Sequence, residues 1–262
     1  MQLVLGPSIW AQGDYEAVAA RIVGIADEVV AAVGRRRALA DVMLVDLACG
    51  TGSAAFAAAR RGARVTAVDT TPELLAVGAE KATRESVPIA WRVADASNTG
   101  LPTASVDAAV SSMGIIFVEP RRQVAELARL LRPAGVVGLA AWVRVADNPL
   151  IDPITAILGR PPGSTFSPDE WAEPATAVAR LSPAFNDFEI AYGIHTWEFE
   201  STSAALDFVV TKSPMHVSAV HRAGVERNRL VAAFEAAFAA HTARDGRVRF
   251  DAPYAVVTAL RG

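Results

Sequence analysis

The chain has 262 residues, of which 52% are hydrophobic and 20% charged, and a formal net charge of −3. That length allows a full core in one α/β domain with insertions, while the acidic balance excludes an overall electrostatic footprint for nucleic acid. The single cysteine, Cys49, excludes an internal disulfide framework, and no apolar run is long enough to span a bilayer.

The opening Met1-Gln2-Leu3-Val4-Leu5-Gly6-Pro7 lacks a charged region followed by a full apolar stretch. It does not read as a signal peptide, and a cytoplasmic location is expected. Asp14 can cap a helix over Tyr15 to Val33, where Val18, Ile22, Ile25, Ala26 and Val29 recur at helical spacing. The triplet Arg35-Arg36-Arg37 reads as a solvated loop rather than a phosphate site.

A strand is expected from Val42 to Leu47, followed by a turn through Gly50 and Gly52 and a helix from Ser53 to Arg61. Two glycines there let the backbone approach a ligand where a Cβ would clash, and Ser53 is a candidate cap. Further strands are expected at Arg64 to Asp69, Ile89 to Val93, Val106 to Ser111 and Val136 to Trp142. Helices between them open at Pro72 and at Pro120, the latter ending near Arg132, where Pro133-Ala134-Gly135 breaks it. This alternation implies a parallel sheet with helices on both faces. Right-handed crossovers then bring Asp46, Asp69, Asp95 and the residues Ser111 to Gly114 to one sheet edge, where ligands of such sheets bind.

After Trp142 the pattern changes. Prolines 149, 153, 161, 162, 168 and 174 punctuate the chain, with Phe166 and Trp171 among them. Phe188 to Phe199 is strand-like, Ser201 to Arg244 is helical in character, and Val248 to Leu260 reads as a final strand.

The chemistry follows from the acidic landmarks. Gly50-x-Gly52-x-x-Ala55 satisfies a dinucleotide fingerprint, and Asp69, nineteen residues after Gly50, suits the ribose hydroxyls of either NAD or S-adenosyl-L-methionine (SAM). Asp46 discriminates between them: a carboxylate there repels a pyrophosphate but suits the amino group of a methionine moiety. Asp95, just after the strand ending at Val93, is placed to meet the adenine N6 amine.

Val45-Asp46-Leu47-Ala48-Cys49-Gly50-Thr51-Gly52, Val68-Asp69, Ala94-Asp95-Ala96, Leu101-Pro102 through Asp107 and Leu131-Arg132-Pro133-Ala134-Gly135 occur in order over residues 40 to 142. In this the chain resembles the class I SAM-dependent methyltransferases, in particular the small-molecule branch that includes quinone-biosynthesis methyltransferases. It departs from that pattern at Ala48, where the family often has its first glycine. Trp10 with Gly13-Asp14-Tyr15 is a weaker N-terminal match.

The resemblance implies a Rossmann-like α/β fold: a seven-stranded, mostly parallel sheet with helices on both faces, an antiparallel last strand and an insertion-built cap. One domain over residues 1–262 is expected, with an N-terminal helical segment (1–38), a cofactor-binding core (39–146), cap insertions (147–183 and 201–245) and C-terminal strands (186–200 and 246–262). The resemblance implies SAM as cofactor and S-adenosyl-L-homocysteine as product. The expected cofactor-binding residues are Asp46, Ala48, Gly50, Thr51, Gly52, Asp69, Thr70, Asp95, Ala96, Ser111, Ser112 and Met113, with Trp10 and Tyr15 closing from the N-terminal helix. Tyr15, Phe117, Trp142, Phe166 and His216 are candidates to contact a small, largely apolar or aromatic acceptor.

His216 is the candidate general base, should the acceptor need one; the competing account is a solvent-exposed loop histidine. Cys49 is a compact turn residue rather than a nucleophile. The histidines show no H-x-x-x-H spacing, so no metal is expected. Ser111-Ser112-Met113-Gly114-Ile115 replaces the polar-Pro-Pro-aromatic run of nucleic-acid amino-methyltransferases, so the expected partner is a small molecule, with no nucleic acid and no membrane, and the chain a monomer or homodimer. An NAD(P)-dependent oxidoreductase and a non-catalytic SAM-binding regulator are the rival functions. No tyrosine precedes a lysine at the Tyr-x-x-x-Lys spacing that the oxidoreductase would need.

Overall fold

A computed structural model describes residues 8–159 and 165–262. The leader reading of Met1 to Pro7 and the prolines Pro161 and Pro162 lie outside the described residues. The elements run α1 (Tyr15–Arg36), β1 (Met43–Leu47), α2 (Ser53–Ala59), β2 (Arg64–Asp69), α3 (Pro72–Glu85), β3 (Ile89–Val93), β4 (Val106–Ser112), α4 (Pro120–Leu130), β5 (Leu131–Trp142) and α5 (Asp152–Leu158). They continue with α6 (Pro174–Leu181), β6 (Phe185–Phe199), α7 (Thr202–Asp207), α8 (Pro214–Arg222), α9 (Arg227–Ala240) and β7 (Val248–Arg261). A 3-10 turn, Pro168–Ala172, precedes α6, and a π-helical turn, Phe208–Lys212, joins α7 to α8.

The strands form one seven-stranded sheet in the order β3-β2-β1-β4-β5-β7-β6. β1 runs parallel to β2 and β4, β2 to β3, and β4 to β5, whereas β7 runs antiparallel to β5. This is the mostly parallel, Rossmann-like sheet expected from the alternation, with its antiparallel last strand. The central strands read as continuous apolar runs because both faces are covered. Val45, Leu47, Ala108, Ala109, Leu139 and Ala140 are all buried.

The chain divides into two compact units. One comprises 1–21, 145–165 and 194–252; the other comprises 22–144, 166–193 and 253–262. The second unit holds the candidate cofactor strands. Its boundaries differ from the sequence expectation: the segment 147–183 is not one insertion, because Pro168–Ala172 packs on β5 and α6 packs on α4 within this unit. Trp171 is fully buried there, with the Arg180 guanidinium 4.9 Å from its ring centroid. The first unit has its own aromatic core, in which Phe199 neighbours Trp197, Phe208, Phe238 and Phe250 at centroid distances of 5.3 to 6.4 Å. Its N-terminal segment is anchored at the π turn. Asp14 N donates to Lys212 O at 2.7 Å, and a Cβ on Gly13 (φ +67°) would lie 2.4 Å from that oxygen.

Three local expectations change. α4 stops at Leu130, and β5 begins at once at Leu131, paired with Val106. Pro133-Ala134-Gly135 is a bulge within that strand, where the register jumps from Val106–Leu131 to Ala108–Val136 and Ala134 adopts φ +58°. The cap of α2 is Gly52 rather than Ser53, with no side-chain cap bond of its own. The basic triplet is not a solvated loop: Arg36 ends α1, pairing with Asp187 at 2.5 Å and donating to Thr258 Oγ1 at 3.1 Å, while Arg37 pairs with Asp107 at 3.1 Å.

Candidate cofactor site

Parallel register sets the edge. Asp46 on β1 lies level with Ala67 of β2 and Val110 of β4, and Asp69 at the end of β2 lies level with Val93 of β3. Asp46, Asp69, Asp95 and the residues after Ser111 therefore occupy the carboxyl ends of four adjacent strands.

The turn between β1 and α2 is wound by three left-handed residues, Ala48 (φ +51°), Gly50 (φ +57°) and Gly52 (φ +91°). Cys49 N donates to Val68 O at 3.0 Å, Gly50 N to Asp69 Oδ2 at 2.8 Å and Gly52 N to Cys49 O at 2.9 Å. A Cβ on Gly52 would sit 2.5 Å from Trp91 Cη2, so this position needs glycine for both dihedral and space. The left-handed φ at Ala48 also explains why glycine suits that position. Alanine accepts about 1–2 kcal/mol of strain there.

Asp46 is buried, and its Oδ2 accepts the Ala55 amide at 2.8 Å. Its Oδ1 is buried with no hydrogen-bond partner. Burial pushes its carboxyl up to about 8; the Ala55 bond opposes the shift and the Asp69 charge adds to it. A buried acceptor without a donor is rare, and a ligand ammonium would satisfy it. The residues present fit a methionine amino group. Asp69 is also buried; its Oδ2 takes Gly50 N and its Oδ1 takes Thr71 N at 2.9 Å. Each oxygen keeps a second lone pair for a hydroxyl. Asp95 Oδ1 accepts from Ser97 N at 2.7 Å and from Ser97 Oγ at 2.8 Å, leaving Oδ2 3.6 Å from Arg122 Nη2. Ala96 is buried beside it, and Thr51 is buried while Thr70 is exposed.

Ser111 does not face a ligand as expected. Its hydroxyl is buried, donates to Leu47 O at 2.7 Å and accepts from Ile115 N at 2.9 Å. It braces β1 against the turn after β4. Ser112 is half-buried, and Met113 is buried with φ +59°. A Cβ on Gly114 would lie 2.3 Å from Ala48 O, so this turn lies directly against the glycine turn.

His216 also departs from both accounts given for it. It is on α8, buried, with Nδ1 2.6 Å from Ser213 Oγ and Nε2 2.9 Å from Leu150 O. A carbonyl only accepts, so Nε2 carries the proton and Nδ1 accepts from Ser213. Burial holds the imidazole down at about 4, opposed by the Leu150 bond. With both nitrogens engaged it is a packing histidine of the first unit, neither a base nor a solvated loop residue. Trp10 and Tyr15 are half-buried in that same unit. In the second unit Phe117 is exposed, Phe166 is half-buried, and Trp142 meets Tyr254 edge-on at 6.4 Å. Cys49 is buried, and burial pushes its thiol well up, with Asp46 and Asp69 adding to the shift; it is no nucleophile.

Sequence reasoning missed Trp91, Gly78, Gln123 and Glu126, whose roles are tertiary. Gly78 was findable, as a lone glycine inside a helical pattern. Among the described residues no group of three or more His, Cys, Asp or Glu could hold a metal ion, and no helix is long and apolar enough to cross a membrane.

Residues 45–139, which carry the whole constellation except Trp142, Phe166 and the residues of the first unit, match the family model of the methyltransferase domain. Over this segment the chain is similar to that domain. An uncharacterized methyltransferase of Mycobacterium tuberculosis is 32% identical over 137 residues, covering 52% of this chain and 55% of the relative. The chain spans about half the length of the curated relatives it matches. Among solved structures, a putative type II methyltransferase from Anaeromyxobacter dehalogenans superimposes with a TM-score of 0.57 at 23% identity, covering 90% of this chain and 95% of that one. A phosphoethanolamine N-methyltransferase from Haemonchus contortus, in complex with phosphomonomethylethanolamine and S-adenosylhomocysteine, gives a TM-score of 0.55 at 15% identity, covering 89% of this chain and 52% of that one. These two likenesses show that the chain shares its Rossmann-like fold with both proteins.

Proposed function

We propose that this chain is a SAM-dependent methyltransferase acting on a small, largely apolar or aromatic acceptor. The observation that carries the cofactor is the Asp46 carboxylate, buried at the end of β1 with Oδ1 lacking a donor. In this reading Asp46 receives the methionine amino group, Asp69 the ribose hydroxyls and Asp95 the adenine amine. The methyltransferase-domain match over residues 45–139 supports it. So does the S-adenosylhomocysteine held by the Haemonchus contortus neighbour of the same fold. A nicotinamide dinucleotide is disfavoured, because its pyrophosphate offers the buried Asp46 carboxyl no cation and would meet repulsion whenever that group ionises.

The reaction is an in-line displacement. A lone pair on the acceptor forms the new bond to the methyl carbon, the carbon–sulfur bond breaks, and its electrons neutralise the sulfonium to leave S-adenosyl-L-homocysteine. Alignment and exclusion of water supply most of the rate. With both His216 nitrogens engaged, no side chain among the described residues is assigned as base, and a proton carried by the acceptor passes to solvent. The exposed ring of Phe117, in the turn after β4, supports an apolar acceptor. The Ser111 to Ile115 sequence and the net charge of −3 disfavour nucleic acid. A cytoplasmic monomer or homodimer completes the proposal.

Calorimetric titration with SAM, S-adenosyl-L-homocysteine, NADH and NADPH tests it. Micromolar binding of the first pair alone is expected, followed by turnover with phenols, quinones, carboxylates or amines. Binding of the nicotinamides alone overturns the reading. SAM binding without turnover on any acceptor favours a regulator.

A further inference from the structure

The loop after β3, from Asp95 to Leu101, is gripped by one face of α4. Arg122 Nη2 lies 3.6 Å from Asp95 Oδ2. Gln123 Nε2 donates to Ala96 O at 3.2 Å. Glu126 Oε1 accepts from Thr99 N at 2.8 Å and from Thr99 Oγ1 at 2.6 Å. Arg129 Nη1 donates to Leu101 O at 2.7 Å. Residues 122, 123, 126 and 129 share a helix face, so α4 and the loop run alongside each other with contacts in step.

The inner members of this grip are shielded from water. Gln123 is 0% exposed and Glu126 6%. Glu126 is further fixed by Arg129, which donates through Nε and Nη2 to its two oxygens, each at 2.7 Å. A bidentate pair of this kind fixes direction as well as charge. The far end of α4 is fixed as well, because Glu119 caps it through Arg121 N and Arg122 N. The loop therefore stands where a firmly held helix places it. Ser97 occupies Asp95 Oδ1, so Oδ2, whose neighbouring cation is Arg122 of α4 at 3.6 Å, is the oxygen that a ligand amine would meet, and the α4 contacts set its position.

We propose that Gln123 and Glu126 are positioning residues that hold the Asp95–Thr99 loop for recognition of the 6-amino group of the cofactor's adenine. This rests on the SAM reading above. The α4 contacts bear on the adenine half of the ligand, whereas Asp46 at the end of β1 bears on the methionine half.

The test compares calorimetric affinities for S-adenosyl-L-homocysteine and S-inosyl-L-homocysteine, which carries an oxo group in place of the 6-amino group. The full chain and the variants Gln123→Met and Thr99→Val are measured, each checked for an unchanged circular dichroism spectrum. The unaltered protein is expected to prefer the adenine ligand. Each variant is expected to weaken adenine binding about tenfold and to leave inosine binding within twofold, so that the preference collapses. Two variants at different points of the grip keep the test sound if one fails to fold. Equal weakening of both ligands, or unchanged adenine binding, overturns the inference. If the unaltered protein binds neither ligand, the cofactor reading fails and the inference with it. If it binds both equally, the cofactor reading stands and only the inference falls.

Discussion

Asp46 accepts the Ala55 amide at 2.8 Å across the glycine turn, so the penultimate residue of β1 also holds the first turn of α2. One carboxylate oxygen thereby shapes the turn, while the other lies buried with no donor. The two demands conflict in the ligand-free protein, because a buried charge with one partner is poorly solvated.

That conflict gives the first expectation. The Asp46 carboxyl titrates at about 8 in the fold against an ordinary value near 3.8. Its contribution is most favourable below about 4 and is lost progressively as pH rises towards 8. Asp46→Asn removes this dependence and can still offer an oxygen to Ala55 N. The variant's melting temperature, measured relative to the unaltered protein without ligand, is therefore expected to climb between pH 5 and pH 8. A gap that is the same at both values contradicts the account.

Ligand binding reverses the sign. If Asp46 must be ionised to meet the methionine ammonium, SAM affinity rises as pH climbs from 6 towards 8, by up to about tenfold per unit, and falls again above 8 as the ligand amine itself loses its proton. Asp46→Asn should bind SAM weakly and without that rise. Calorimetry in buffers of different ionisation enthalpy would detect proton release on binding, and its absence would count against Asp46 as the amine partner.

His216 separates packing from chemistry. His216→Phe keeps a ring beside Phe234, whose centroid lies 5.8 Å away, but leaves Leu150 O and the Ser213 hydroxyl without partners. The expected loss is about 1–3 kcal/mol of stability, with turnover per folded molecule and the pH–rate profile unchanged. Its depressed pKa, about 4 against 6.5, means the native protein keeps the stability of the neutral ring above 6.5 and loses it as pH falls through 4. The variant's acid unfolding should lack that component. A selective fall in kcat would restore His216 as a base.

The parts of the site legible in the sequence are those a single local segment determines. Asp46, Gly50, Gly52 and Asp69 sit at strand ends and in one turn, and strand–turn–helix patterning places them without knowledge of any partner. Ser111 was misread because its partner, Leu47 O, is 64 residues away. His216 was misread for the same reason, with Leu150 O 66 residues distant. Periodicity registers which face of an element is apolar and is silent on what that face meets. Pro133-Ala134-Gly135 looked like a boundary because a bulge uses the same breakers as a helix end. The 147–183 segment looked uniform because its prolines hide the point where the chain rejoins the sheet unit, at Phe166.

Gly78 gives the sharpest test of packing at the glycine turn. It lies inside α3, where alanine is intrinsically better by about 1 kcal/mol. Yet a Cβ there would sit 2.4 Å from Trp91 Cη2, 2.6 Å from Trp91 Cζ3 and 2.9 Å from Thr51 O. The indole that Gly78 admits also abuts Gly52, so displacing it would disturb the glycine turn proposed to hold the cofactor. Gly78→Ala is therefore expected to destabilise by about 1–3 kcal/mol through overpacking, and to weaken SAM binding as well. Trp91→Leu should cost stability alone, but the double variant should recover part of the Gly78→Ala loss, giving a favourable coupling in a double-mutant cycle. Urea unfolding of the four proteins measures it. If Gly78→Ala instead stabilises by the helix-propensity increment, the indole does not fill that space and the turn is not braced from β3.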